Sequence, residues 1–167
     1  ATVVRTANHA LVYDAGPAYS VDADAGNRVV VPFLRASGVT RLDKVIVTHN
    51  DNDHAGGAAA VMRTLPADVL LSSLAVDHPA QALAPWRTPC YVGQAWTWDG
   101  VRFEMLYPTP ESYDRDVRRA NWRSCVLRIS AHGRSVLLTG DIEARDEQAL
   151  LAAGALLAAD VLLVPHH

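Results

Sequence analysis

A chain of 167 residues that is half hydrophobic and one-fifth charged can close an ordinary globular core, and no low-complexity tract suggests disorder. Its net charge of -3, from 18 acidic against 15 basic residues, excludes a surface that coats nucleic acid indiscriminately and leaves room only for a local basic patch. Every basic residue except Lys44 is an arginine, the side chain that holds phosphate at two points.

Thr2 to Thr6 and Ala10 to Tyr13 read as two strands of a hairpin, the second running into Asp14-Ala-Gly16-Pro17. Asp24 to Ala36 has apolar residues at helical spacing, with Pro32 predicting a kink or a late start and Gly38 a stop. Leu42 to Thr48 is a β-branched apolar run, hence a buried strand, and Gly56-Gly57 opens an Ala-rich helix that Pro66 ends. Between them lies His49-Asn-Asp51-Asn-Asp53-His54, four potential metal ligands within one short loop. Turn chemistry accounts for Asn and Asp, but not for two flanking histidines at the end of an apolar strand.

Asp68 to Ser72 is a further strand, and Asp77 to Ala84 a helical turn. From Thr88 to Tyr107 the pattern changes to aromatic-rich strands (TPCYV, AWTW, VRFEMLY), with Asp99-Gly100 a hairpin turn. Pro108 to Asn121 is the long candidate loop and carries the basic cluster RDVRRANWR. Cys125 to Ile129 and Ser135 to Leu138 are strands joined at His132-Gly133; a helix over Glu143 to Ala153 and a strand over Val161 to Val164 complete the chain. Cys90 and Cys125 are the only cysteines, and both a disulfide and two buried thiols are open to them.

The two halves resemble each other. Each has a strand ending near Asp (Asp14, Asp141), a helix, and a strand ending in His (His49, His166). Strands joined through a helix are parallel neighbours in a right-handed crossover, which puts Asp14 beside His49 and Asp141 beside His166. Two such halves packed sheet against sheet give an α/β fold of four layers, an αββα sandwich, in which far-apart segments meet at one site.

The motif THNDNDHAGG resembles that of the metallo-β-lactamase superfamily, whose common form is HxHxDH between an apolar strand and Gly-Gly; LLTGD and VPHH are similar to its later Asp and His ligands. Within it the chain is most similar to the C-terminal domain of ComEC-type competence proteins, DNA-uptake channels of the inner membrane. The shared patterns are HxDxDH, NxxSxVLR (here Asn121 to Arg128), LLTGDIE and PHH. The resemblance implies His49 and Asp51 as ligands of one metal site, Asp53 and His54 of the other, Asp141 bridging them, and His166 completing the second. The family's usual third ligand of the first site has no counterpart, since His78 sits in an unmatched setting, VDHPAQ.

Asp51 in place of a second histidine makes the site richer in oxygen, which shifts the expected ion from Zn²⁺ towards Mn²⁺, or Mg²⁺ at weaker affinity, and suits phosphodiester hydrolysis. Mn²⁺ or Zn²⁺, as one or two ions, is the expected cofactor. Asp53 is then both ligand and catalytic carboxylate. His167 is a candidate to protonate the leaving oxygen, with simple packing as its alternative. Asp14 and Asn121 are candidate supports of the ligands, with a strand-end cap and a turn as their other roles. Arg115, Arg118, Arg119 and Arg123 are candidate DNA-backbone contacts, and Trp122 a candidate base-stacking ring, against the plain alternative of a solvated face.

The expected protein is a single domain over residues 1–167, an excerpt of a larger inner-membrane protein, lying on the extracytoplasmic side and acting as a deoxyribonuclease during uptake. Its partners would be DNA, single-stranded or the strand not imported, and the rest of the channel. A hydrolase of a small ester or phosphate and a non-catalytic DNA-binding or gating module are the rivals. The chain itself has no apolar run long enough to span a bilayer and no leader-like N-terminus.

Overall fold

The structure, a computed structural model, describes residues 1–114 and 120–166. Arg115, Arg118, Arg119 and His167, expected above as DNA contacts and proton donor, lie outside the described residues. The chain divides into two compact units, Ala1–Pro89 and Cys90–His167. No described helix is long and apolar enough to cross a membrane.

The first unit opens with the hairpin β1 (Thr2–Arg5) and β2 (Ala10–Tyr13), followed by the small pair β3 (Ala18–Ser20) and β4 (Ala23–Asp24). The expected helix over 24–36 arrives in two pieces, a π-helical turn Gly26–Val30 and then α1 (Val31–Ala36). Pro32 sits just past the junction of the two pieces, where the helix passes from π-type to α-type hydrogen bonding with Val30 and Val31 both in helical conformation, so the irregularity falls at the residue that has no N–H to give. Next come β5 (Leu42–Val47), α2 (Asn52–Ala55), α3 (Ala58–Thr64), β6 (Ala67–Ser72), a 3₁₀ turn Pro79–Ala82 and β7 (Trp86–Pro89).

The sheet order is β1-β2-β5-β6-β7, with β2, β5, β6 and β7 parallel. Parallel strands are covered on both faces, and Leu11, Val12, Val45, Ile46 and Leu70 are accordingly all buried. Val31 and Leu34 of α1 and Val61 and Met62 of α3 pack in the same core. The strand expected from Thr88 is corrected here: it runs Trp86–Pro89 and belongs to this sheet, as a parallel edge beside β6. Its side chains are mostly exposed, and Pro89 ends it, a residue sheets tolerate only at edges.

Gly56 and Gly57 decide how this unit closes. A Cβ on Gly56 would lie 2.2 Å from the Ala18 nitrogen, and one on Gly57 would lie 2.5 Å from the Ala15 carbonyl and 2.6 Å from the Gly26 nitrogen. The α2–α3 junction therefore packs backbone on backbone against the segment after β2, secured by Gly57 N–H to Gly16 C=O at 2.9 Å.

The second unit contains β8 (Ala95–Trp98), β9 (Val101–Tyr107), β10 (Val126–Ala131), β11 (Arg134–Leu138), α4 (Ala144–Ala152) and β12 (Val161–Leu163). The order is β12-β11-β10-β9-β8, antiparallel except for the parallel pair β11 and β12. Asp99-Gly100 and His132-Gly133 make the two hairpin turns with φ positive at both residues of each, as such turns require. Trp96 stacks on Phe103 at 5.1 Å and Trp98 meets it edge-on at 5.2 Å, so both serve the sheet as half-buried strand residues. Leu150 of α4 packs with Val126, Leu137 and Ile142. Along the edge strand β12, by contrast, Val161, Leu162 and Leu163 are all exposed. Cys90 and Cys125 form a disulfide, with Cα atoms 5.9 Å apart, which joins the segment before β8 to the entry of β10.

Candidate metal centre

In the first unit the parallel pairing of β2 with β5 brings the residues that follow them, Asp14 and Thr48-His49, to one sheet edge. Asp14 adopts φ 58°, which turns the chain sharply after the strand, and its N–H donates to the Ile46 carbonyl at 2.8 Å. Its carboxylate then accepts the Thr48 N–H on Oδ1 at 2.8 Å, while Oδ2 lies 3.0 Å from Thr48 Oγ1 and 2.7 Å from His54 Nδ1. Thr48 Oγ1 is also 2.9 Å from His49 Nδ1. Asp51 caps α2 with its carbonyl, which accepts the N–H groups of His54 and Ala55. The backbone of Asp51 and His54 is thereby hydrogen-bonded within the loop, and the inner ring nitrogens of His49 and His54 meet Thr48 and Asp14.

The outward nitrogens face carboxylates. His49 Nε2 is 3.6 Å from Asp51 Oδ2, and His54 Nε2 is 3.4 Å from Asp53 Oδ2. Because a carboxylate oxygen can only accept, the 2.7 Å contact with Asp14 places a proton on His54 Nδ1, so that the neutral ring has its lone pair on Nε2. A lone pair facing a carboxylate is repulsive unless a proton or a metal cation sits between them, and the neutral ring that binds a metal requires the latter. Two ligands about 2.1 Å from one ion at a tetrahedral angle stand roughly 3.4 Å apart, which is the spacing found here. The donor set therefore fits a divalent ion.

The second unit repeats the arrangement with other means. Asp141 follows β11 and His166 follows β12, and the parallel pairing of those strands sets them side by side. Thr139 Oγ1 donates to the Leu163 carbonyl at 2.6 Å, stitching the two strand ends, and Asp141 N–H donates to Ser124 Oγ at 3.2 Å. His166 Nε2 lies 3.2 Å from Asp141 Oδ2, again a ligand-pair spacing. Asp141 is buried, whereas the His166 side chain is 62% exposed.

Asn121 is buried at the start of a 3₁₀ turn, Ala120–Arg123, and its carbonyl accepts the Ser124 N–H. It thus supports Asp141 at one remove, through Ser124. Arg123 donates its Nε to the Ser112 carbonyl and lies over the Tyr113 ring at 5.2 Å, an inward brace for the loop. Trp122 donates to Glu143 at 3.2 Å and carries the Arg145 guanidinium 4.8 Å over its ring, so that face is covered by the protein's own cation. His78 uses Nδ1 to accept the Ala80 N–H, capping the turn Pro79–Ala82, and burial lowers its pKa. Thr48 and Ser124 are the residues that sequence reasoning passed over. The signal was present, since one directly precedes His49 and the other is the Ser of NxxS.

Strands, loop and ligand pairs together define a class. Residues 1–110, more than half of the chain, match the Metallo-beta-lactamase superfamily, and the chain belongs to it, a class of metal-dependent hydrolases. The metallo-beta-lactamase of Cronobacter sakazakii that carries a HARLDQ motif shares the α/β fold, with a TM-score of 0.65 at 14% identity over 96% of this chain and 65% of that one.

The chain is similar to competence proteins in particular. It is 36% identical to "Competence protein ComA" of Neisseria gonorrhoeae over 166 residues, 99% of this chain and 22% of that protein. It is 34% identical to "Recombination protein 2" of Haemophilus influenzae over 167 residues, 100% of this chain and 20% of that one. The chain thus spans about a fifth of the length of these relatives.

Proposed function

We propose that the chain is the metal-dependent phosphodiesterase part of a DNA-uptake protein, cleaving DNA on the extracytoplasmic side of the inner membrane. The observation that carries the reading is the pairing of imidazole nitrogens with carboxylate oxygens at 3.2 to 3.6 Å on the loop and on the strand ends. Following the family resemblance, His49, Asp51, Asp53 and His54 of the first unit and Asp141 and His166 of the second would be the ligands, with Asp141 in the family's bridging position. Three carboxylates beside three imidazoles make a donor set that suits Mn²⁺ or Zn²⁺, its oxygen share tilting the preference towards Mn²⁺, with Mg²⁺ binding more weakly. A divalent ion bound there supplies Lewis acidity towards a phosphoryl oxygen and lowers the pKa of water.

The chain's own residues do the rest. Asp14 holds His54 in its binding tautomer, and Ser124 fixes the backbone of Asp141. Arg115, Arg118 and Arg119 receive the DNA backbone, and His167 hands a proton to the departing oxygen. Arg123 is left out, because its Nε is turned inward to Ser112. DNA as substrate and the channel polypeptide as partner are supported by the similarity to competence proteins. An extracytoplasmic site is supported by the disulfide, since such bonds persist in oxidising compartments.

The test is incubation of labelled single-stranded and double-stranded DNA with the chain and Mn²⁺, beside Asp53→Ala and Asp141→Ala. Wild type is expected to cleave, a chelator to stop it, and both variants to be inactive. Equal cleavage by all three proteins would remove the nuclease reading.

A further inference from the structure

We infer that Thr48 is the positioning residue that sets both imidazoles of the loop as Nε2 donors: its hydroxyl takes the Nδ1 proton of His49 as acceptor and gives its own proton to Asp14. This rests on the reading of His49 and His54 as metal ligands, but its logic is a count of protons. Four polar groups converge in a buried place: Asp14, Thr48 and His49 are 4%, 0% and 0% exposed, and the His54 side chain 13%. Asp14 brings only acceptors, so the 2.7 Å contact obliges His54 Nδ1 to donate.

Thr48 has a single hydroxyl hydrogen, and its oxygen lies 3.0 Å from Asp14 Oδ2, 2.9 Å from His49 Nδ1 and 3.2 Å from His54 Nδ1. The last of these is itself a donor, which leaves Asp14 and His49 as the acceptors among these contacts. A bond to a carboxylate is the stronger of the two, and the Thr48 N–H already holds the other oxygen of the same carboxylate at 2.8 Å. The hydroxyl hydrogen therefore goes to Asp14. Its oxygen then faces His49 Nδ1 with lone pairs, which a protonated Nδ1 satisfies and a bare Nδ1 does not.

The opposite choice would put the His49 proton on Nε2, the nitrogen 3.6 Å from Asp51 Oδ2, and block it as a ligand. One carboxylate and one hydroxyl thus decide two tautomers. Asp14 acts on His54 directly, and on His49 only through Thr48.

The experiment compares wild type, Thr48→Val and Thr48→Ser. Val keeps the branched shape without the hydroxyl, and Ser keeps the hydroxyl. Two readouts are taken: ring-nitrogen shifts of the ¹⁵N-labelled histidines in metal-free protein, and Mn²⁺ and Zn²⁺ affinity by calorimetry. In wild type and Thr48→Ser, His49 and His54 should both show the Nδ1–H form. In Thr48→Val, His49 alone should move towards Nε2–H, with a loss of affinity of about 10- to 100-fold.

A wild-type His49 already in the Nε2–H form would overturn the inference, and so would a Thr48→Val protein with unchanged spectra and affinity. If Thr48→Val does not fold, the wild-type and Thr48→Ser spectra decide alone. Should wild type bind neither ion, the metal reading fails, while the metal-free spectra still judge Thr48.

Discussion

The two sets of candidate ligands differ in how they are held. On the loop after β5, side chains do the work: a buried threonine and aspartate grip the inner nitrogens of two histidines. At the ends of β11 and β12, hydroxyls hold the backbone instead: Ser124 Oγ accepts the Asp141 N–H, and Thr139 Oγ1 donates to the Leu163 carbonyl of the neighbouring strand. His166 keeps an exposed ring against the wholly buried ring of His49. The first brace acts on the imidazole rings themselves, whereas the second acts on the backbone that carries Asp141 and the end of β12, and so depends also on whatever holds those strands together.

Breaking the second brace should give the largest effect. The disulfide closes a stretch of 35 residues that contains β8, β9 and the turn leading to Ser124. Replacing Cys90 and Cys125 by serine should lower stability by about 3 kcal/mol. Hydrogen exchange should show protection falling first between Cys90 and β10; a uniform loss over the whole chain would contradict this contrast.

The matching lesion in the first unit is Gly57→Ala. The added methyl meets the Ala15 carbonyl and Gly26 nitrogen at distances no Cβ tolerates, so backbone has to move. A loss of about 2 kcal/mol is expected, read as a lower denaturant midpoint. Exchange should quicken around Ala15 and His54, whose backbones share a 2.9 Å hydrogen bond, before it quickens at β10.

The smallest effect concerns α4. The Tyr107 hydroxyl lies 2.8 Å from Asp146, a buried carboxylate that also caps the helix. Burial, and then the bond to Asp146, push the tyrosine pKa well above its ordinary 10.0. A group raised in the folded state stabilises it fully below its unfolded pKa and ceases to do so as pH climbs through the folded value. Wild type should therefore lose stability as pH rises above 10, and Tyr107→Phe should flatten that slope while losing about 1 kcal/mol at neutral pH. Melting curves between pH 8 and 11 check it; parallel slopes would refute the coupling.

Much of this frame was legible beforehand, because periodicity and turn chemistry are local. The buried run ending at Val47, the Ala-rich helix after Gly57, the positive-φ hairpins at Asp99-Gly100 and His132-Gly133, and the Asp14 and Asp141 strand ends can each be read from a few neighbouring residues. What escaped depends on partners distant in the chain. The stretch from Thr88 reads as the first of a run of aromatic-rich strands, because nothing in its own residues says that its neighbour is β6. Cysteine pairing hinges on where β10 enters. Thr48 looked like the last residue of a strand until Asp14 was found beneath it, and Trp122 looked ready to stack until Arg145 was found over its ring.

The bareness of β12 has a practical consequence. Three successive apolar side chains lie open on the outermost strand of a sheet, with no charge or proline among them to discourage another backbone from adding on. In concentrated solution such an edge is a template for intermolecular sheet growth, so buffers and handling that suppress self-association matter as much to work with this chain as the choice of ion.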